Sequence, residues 1–225
     1  MFLARRLQPM VVIAILAFVP GKACSQGVAK EEGRSQSGLA RVDKRLDTIK
    51  QVRAQTLEIL RSENSCSAWF QEVDGDPAGV LTSLHYAIEK GLPLHVSRMA
   101  DGRGGYRFKQ PWVARSSENA GRNSLIELNV TGAFFNPVSS LMDVGPTGGF
   151  LRIAGFQRLT VGSFKGNTSE AQITTMLHEL GHIVGRIPLD NDSWDGRSSQ
   201  NTEEVMRYCG EEVREAAQRN FRSSN

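Results

Sequence analysis

The sequence predicts an α+β fold. Three observations carry this: amphipathic helical stretches near both ends, a middle third of short apolar runs cut by Gly-rich turns, and a length suited to one core. At 225 residues with 40% hydrophobic composition, the chain can bury a single core but is short for two. A small mixed or antiparallel sheet packed on one helix, with further helices at both ends, is the expected arrangement.

The N-terminus reads MFLARRLQPMVVIAILAFVPGKACSQ, with Arg5 and Arg6 ahead of an apolar run from Met10 to Val19 and small residues at Gly21, Ala23 and Ser25. That pattern predicts a signal peptide over residues 1–25, cleaved near Ala23 or Ser25. About ten apolar residues fall short of the roughly 20 that span a bilayer. Cys24 stands where a lipid anchor would attach, but the charged Lys22 interrupts the small, apolar run such an anchor follows. Removal of residues 1–23 takes Arg5, Arg6 and Lys22, leaving 24 of the 27 basic residues against 24 acidic ones. A neutral mature chain gives no reason to expect a nucleic-acid partner or stable membrane insertion. A secreted or periplasmic location follows, and there Cys66 and Cys209 can form one disulfide, or remain two buried thiols.

Residues 26–38 (QGVAKEEGRSQSG) are polar and rich in Gly and Ser, as in a flexible linker, so residues 39–225 are expected to form the domain. Leu39, Val42, Leu46, Ile49, Thr56, Leu57 and Leu60 then recur at helical spacing, up to the polar cluster Ser62 to Ser65. Cys66, Trp69 and Phe70 make a short apolar piece. Beyond a Gly/Pro loop, Ala78 to Lys90 is predicted helical and closed by Gly91. Leu94–Met99, Tyr106–Phe108, Leu125–Val130, Phe150–Ala154 and Leu159–Phe164 read as strands, and the glycines at 101–105 as a hairpin turn. The final helix is expected over about Asn201 to Arg219.

The strongest helix signal covers residues 169–185. Ser169 and Gln172 have capping-box spacing, Ile173, Met176, Leu177, Leu180 and Val184 form an apolar stripe, and Gly185 is placed for a C-terminal cap. Within it stands His178-Glu179-Leu180-Gly181-His182, an H-E-x-x-H pattern. Residues four apart lie one turn above each other, so both imidazoles leave the same face and can meet one ion. Zn²⁺ accepts imidazole nitrogen and keeps a position for water, and Glu179 lies beside the pair to act as general base. Gly181 costs about 1 kcal/mol of helix propensity against Ala, which implies close packing there. The alternative is an ordinary helix with two histidines and a solvated acid. His85 and His95 have no partners at ligand spacing and read as structural or solvent-facing.

Over residues 169–185 the chain resembles the zincin zinc metallopeptidases. That resemblance implies a zincin-like fold, Zn²⁺ held by His178 and His182, and hydrolysis of peptide bonds in a peptide or protein substrate. The metzincin branch would continue x-x-G-x-x-H, and here Gly185 matches the glycine while Pro188 replaces the histidine. In the gluzincin branch a glutamate from a later helix completes the site, and Glu203 or Glu204 has a suitable separation. The aspzincin branch uses an aspartate, and Asp190 lies eight residues beyond His182. Asp190 is preferred, because a turn at Gly185 can bring the chain back beneath the metal. The competing readings are a turn former for Asp190 and a helix-dipole partner for Glu203. The aspzincin tyrosine is missing from Asn191-Asp192-Ser193-Trp194, leaving Tyr208 as candidate oxyanion stabiliser. The resemblance also implies an edge strand above the metal helix to pair with substrate, from Ile126–Asn129 or Leu159–Phe164, with an ordinary core strand as the alternative. A non-catalytic zinc-binding or structural module and an amidase of cell-envelope material are the alternatives.

Overall fold

The computed structural model describes residues 32–90, 95–98, 106–109, 111–144, 150–190 and 196–223. They belong to two units, one ending at Arg41 and one spanning Val42–Asn225. The first helix, α1 (Glu32–Arg61), crosses that boundary and begins seven residues before the apolar periodicity, so residues 32–38 are helical. The expected signal peptide and residues 26–31 of the linker lie outside the described residues.

In the larger unit α1 buries Ile49, Thr56 and Leu60 of the periodic set together with Val52 and Ile59, while Leu46 is exposed and Leu57 half-buried. α2 (Ser65–Gln71) starts at a capping box in which Asn64 and Ser67 each accept from the other's backbone N–H. Its Cys66, Trp69 and Phe70 are buried. α3 (Pro77–Ser83) has Asp76 as N-cap and Pro77 in its first turn.

Here the expected helix over 78–90 is corrected. The chain turns extended at Leu84 and continues as β1 (His85–Glu89), paired in parallel with β5 (Leu125–Asn129) from His85↔Leu125 to Glu89↔Asn129. Leu84 and Ile88, four apart, suit a helical period, and with Tyr86 between them they equally suit a two-residue one; pairing with β5 decides between the two. His85 is an exposed strand residue.

β5 is the central strand of a mixed sheet ordered β1-β5-β4, with β4 (Ala114–Arg115) antiparallel to it. Ile126–Asn129 is therefore not an edge; among the described residues β1 and β4 are the outer strands. The other ladders are antiparallel pairs: β2 (His95–Arg98) with β3 (Tyr106–Lys109), β6 (Val138–Val144) with β7 (Phe150–Arg158), and β8 (Thr160–Val161) with β9 (Phe164–Lys165). The expected Leu159–Phe164 strand is thus a tight hairpin, reversed where Gly162 takes φ +55°. The hairpin turn expected at 101–105 lies outside the described residues.

α4 (Ser169–Ile183) is buried from Ala171 to Ile183, without a solvated stripe. It packs against α5 (Arg197–Ser223), whose Val205, Cys209 and Val213 join the same core. A Cys66–Cys209 disulfide, Cα atoms 4.4 Å apart, ties α5 to α2. The domain is mixed α+β, as expected. Among the described residues no helix is long and apolar enough to cross a membrane.

Candidate metal centre

α4 is started by Thr168, whose Oγ1 accepts from Ala171 N, so the expected Ser169/Gln172 capping box does not form. Gln172 instead donates to the Phe134 carbonyl at 2.9 Å, fastening the helix to the core. Ten residues after Thr168 the helix delivers His178, and one turn later His182, 5% and 2% exposed. Their rings meet edge to face with centroids 4.7 Å apart, and the two Nε2 atoms are separated by 3.0 Å.

The end of α4 is built to reverse the chain. Val184 is the C-cap, Gly185 adopts φ +73°, and Arg186 N returns to the Gly181 carbonyl at 2.8 Å. Asn119 N and Gly121 N donate to the His182 and Ile183 carbonyls, so the loop beyond β4 covers this terminus. The reversal brings Asp190 back beneath the histidines, with Oδ2 3.2 Å from His178 Nε2 and Oδ1 3.6 Å from His182 Nε2.

Hydrogen bonds behind the rings set which nitrogens face this gap. Thr202 Oγ1 donates to the Ser198 carbonyl at 2.9 Å, so toward His178 Nδ1, 3.1 Å away, it accepts. His182 Nδ1 faces the Ile187 carbonyl at 3.5 Å. With the ring protons on Nδ1, both Nε2 lone pairs point at each other and at a carboxylate. Three acceptors converge within 4.8 Å. A tetrahedral ion with ligand bonds of about 2.0 to 2.1 Å holds its donor atoms about 3.3 Å apart, within the observed span. His178, His182 and Asp190 form a group that could hold a metal ion, and two imidazoles with a carboxylate suit Zn²⁺ among others.

Titrating alone, the three side chains share a proton. Burial opposes charge on His178, but its hydrogen bond to Asp190 and the charges of Glu179 and Asp190 raise its pKa above the ordinary histidine value. Burial, reinforced by the neighbouring His178 charge, pushes His182 down to about 4. For Asp190 burial acts upward, yet the hydrogen bond and charge of His178, with help from Ser198 and Asn201, hold it below the usual carboxylate range. One imidazolium between a neutral imidazole and a carboxylate occupies the position a cation would take.

Glu179 is 3% exposed and accepts a 2.8 Å hydrogen bond from Ser116 Oγ at Oε2. Burial pushes its carboxyl up to about 7, against the His178 charge and the Ser116 bond. Glu179, His182, Leu189 and Asp190 line a partly open pocket of about 50 Å³ together with Ala114, Arg115 and Ser116. That volume admits water beside the group.

Glu203 is exposed and Glu204 half-buried on α5, and neither belongs to the group. Tyr208 stacks on Trp69, centroids 5.0 Å apart and rings 10° from parallel, and does not line the pocket. Ser116, Asn201 and Thr202 were not legible as site residues, because no spacing rule marks a side chain that supports a ligand from another element.

Set against family models, curated proteins and solved structures, the chain matches none.

Proposed function

We propose that the chain is an exported zinc-dependent metallopeptidase of zincin type, closest to the aspzincin arrangement, with His178, His182 and Asp190 as metal ligands and Glu179 as general base. One observation carries the reading: a buried acid with its pKa near 7 lines a pocket with His182 and Asp190, which with His178 bring two imidazole nitrogens and a carboxylate within 4.8 Å of one another. A structural zinc site has no use for that acid.

Zinc bound there would act as a Lewis acid, lowering the pKa of a coordinated water toward about 7. Glu179 does the proton work. Ser116 takes up its Oε2, which leaves Oε1 to accept a proton from a water in the pocket and pass it to the leaving amine. A carboxyl near 7 suits both halves of that transfer at neutral pH. Thr202 and the Ile187 carbonyl hold the imidazoles in orientation. β4 pairs with β5 on one side only among the described residues, and it borders the pocket, which supports an extended peptide adding to its open edge. The Cys66–Cys209 bridge supports an oxidising compartment.

Zinc analysis of the purified protein, followed by a cleavage screen against peptides and cell-wall fragments with Glu179→Gln as control, tests the reading. Zinc at one equivalent and peptide cleavage abolished in the variant are expected. Bound zinc without turnover would make the protein a binding module, and cleavage of wall fragments alone would make it an amidase.

A further inference from the structure

α5 supplies no ligand, yet two consecutive residues near its start reach the group from outside. Asn201, 5% exposed, donates through Nδ2 to Asp190 Oδ1 at 2.8 Å and to the Pro188 carbonyl at 2.8 Å. Thr202, 7% exposed, accepts from His178 Nδ1 while its own proton is committed to Ser198. Neighbours in a helix point about 100° apart, so adjacent positions can serve two different side chains of the group. We infer that Asn201 and Thr202 are positioning residues that hold Asp190 and His178 in register for a shared divalent cation. The inference rests on the metal reading of the His178–His182–Asp190 group.

The physical case is that each ligand arrives on a support of different stiffness. His178 sits in the middle of a buried helix, but its ring can still rotate about the side-chain bonds, and the acceptor at Nδ1 fixes both rotation and tautomer. Asp190 stands seven residues beyond the end of α4, in a stretch without regular structure. Asn201 clamps both its side chain and the backbone two residues earlier. α5 is in turn held by Cys209, seven residues after Thr202 and bonded to Cys66. The helix therefore acts as a brace: it sets the distance between an imidazole and a carboxylate that the H-E-x-x-H turn alone does not fix.

The test uses the full chain and zinc itself. Thr202→Val keeps the shape but removes the acceptor, Thr202→Ser restores it, and Asn201→Leu removes the clamp on Asp190. Zinc dissociation constants come from competition with a chromogenic chelator, folding from circular dichroism and the zinc-free Tm, and the His178 Nδ1 proton from nitrogen-edited NMR of zinc-loaded protein. Thr202→Val and Asn201→Leu should each bind zinc roughly 10- to 100-fold more weakly at unchanged zinc-free fold. Thr202→Ser should bind as the parent does. The slowly exchanging His178 Nδ1 proton should vanish in Thr202→Val and persist in Thr202→Ser. If Thr202→Val does not fold, the Asn201→Leu affinity and the Thr202→Ser proton signal still decide the matter. Parent-like zinc affinity in folded Thr202→Val and Asn201→Leu overturns the inference and leaves the metal site standing. Equal zinc binding by the parent and His182→Ala, or none by either, overturns the metal reading and the inference with it.

Discussion

Ser116 Oγ donates to Glu179 Oε2 across 2.8 Å, joining the end of an edge strand to the acid of the H-E-x-x-H helix. A hydrogen bond to the ionised form favours ionisation, so this contact holds the Glu179 pKa below where burial alone would put it. Ser116→Ala should move the acid limb of the kcat/KM profile to higher pH, leaving zinc content unchanged. Glu179→Gln should retain zinc and lose about 10²- to 10⁴-fold in cleavage. An acid limb unmoved by Ser116→Ala would remove Ser116 from the proton transfer.

Metal uptake should separate the two candidate third ligands. Asp190→Ala is expected to lose zinc, and Glu203→Ala, altering an exposed residue outside the group, to keep it. If the group holds zinc as proposed, a proton on His178 would compete with the cation, and its raised pKa would carry that competition above the ordinary histidine value. Zinc affinity should fall about tenfold for each pH unit below that pKa. Chelator competition from pH 8 to pH 5 checks both statements; a flat profile would exclude His178 as a ligand.

Gly181→Ala probes the reversal at the end of α4. An added Cβ would meet Ile187 Cγ1 at 2.9 Å and Cδ1 at 3.0 Å, and Ile187 is 3% exposed with little room to move. Overpacking of this kind costs about 1 to 3 kcal/mol, partly offset by about 1 kcal/mol of helix propensity. A net loss in stability is expected, together with weaker zinc binding, because Ile187 carries the carbonyl facing His182. Combining it with Ile187→Ala should be non-additive in a thermal double-mutant cycle.

How far such features can be read from the chain alone differs by residue. The helix-propensity cost of Gly181 points to close packing, which its approach to Ile187 matches, and α4 is legible because its stripe, its glycine terminus and its ligand spacing share one period. His85 was misplaced because residues 78–90 satisfy helix and strand patterns alike, and the partner that decides, Leu125–Asn129, lies 40 residues on in sequence. β4 is two residues long and carries no periodic signal. β6 falls between Pro137 and Gly145, where turn residues mask its alternation. Asp190 could be singled out as an oxygen ligand, but Asn201 and Thr202 could not, since their part depends on where α5 docks.

Tyr86 provides a stability test away from the centre. Its phenol is largely buried, and burial, opposed by the Arg53 charge, pushes its pKa up to about 12. Arg53 faces its hydroxyl, but among the described residues no hydrogen bond of ordinary geometry reaches it. A folded-state pKa above the unfolded value of about 10 contributes stability that is complete below pH 10 and lost as pH rises through 12. Equilibrium unfolding should show that alkaline decline flattened in Tyr86→Phe, with near-parental stability at pH 7. A decline of the same steepness in the variant would assign it to other groups.

A peptide cut from residues 168–190 would contain both imidazoles, the acid between them and the aspartate, and still be a poor chelator. The helix it encodes is buried on every side in the intact protein and would fray in water. Its aspartate would be anchored by nothing. Any ion held at this group would bind the folded state and not the unfolded chain, so on the proposed reading saturating zinc should raise the melting temperature and a chelator should lower it.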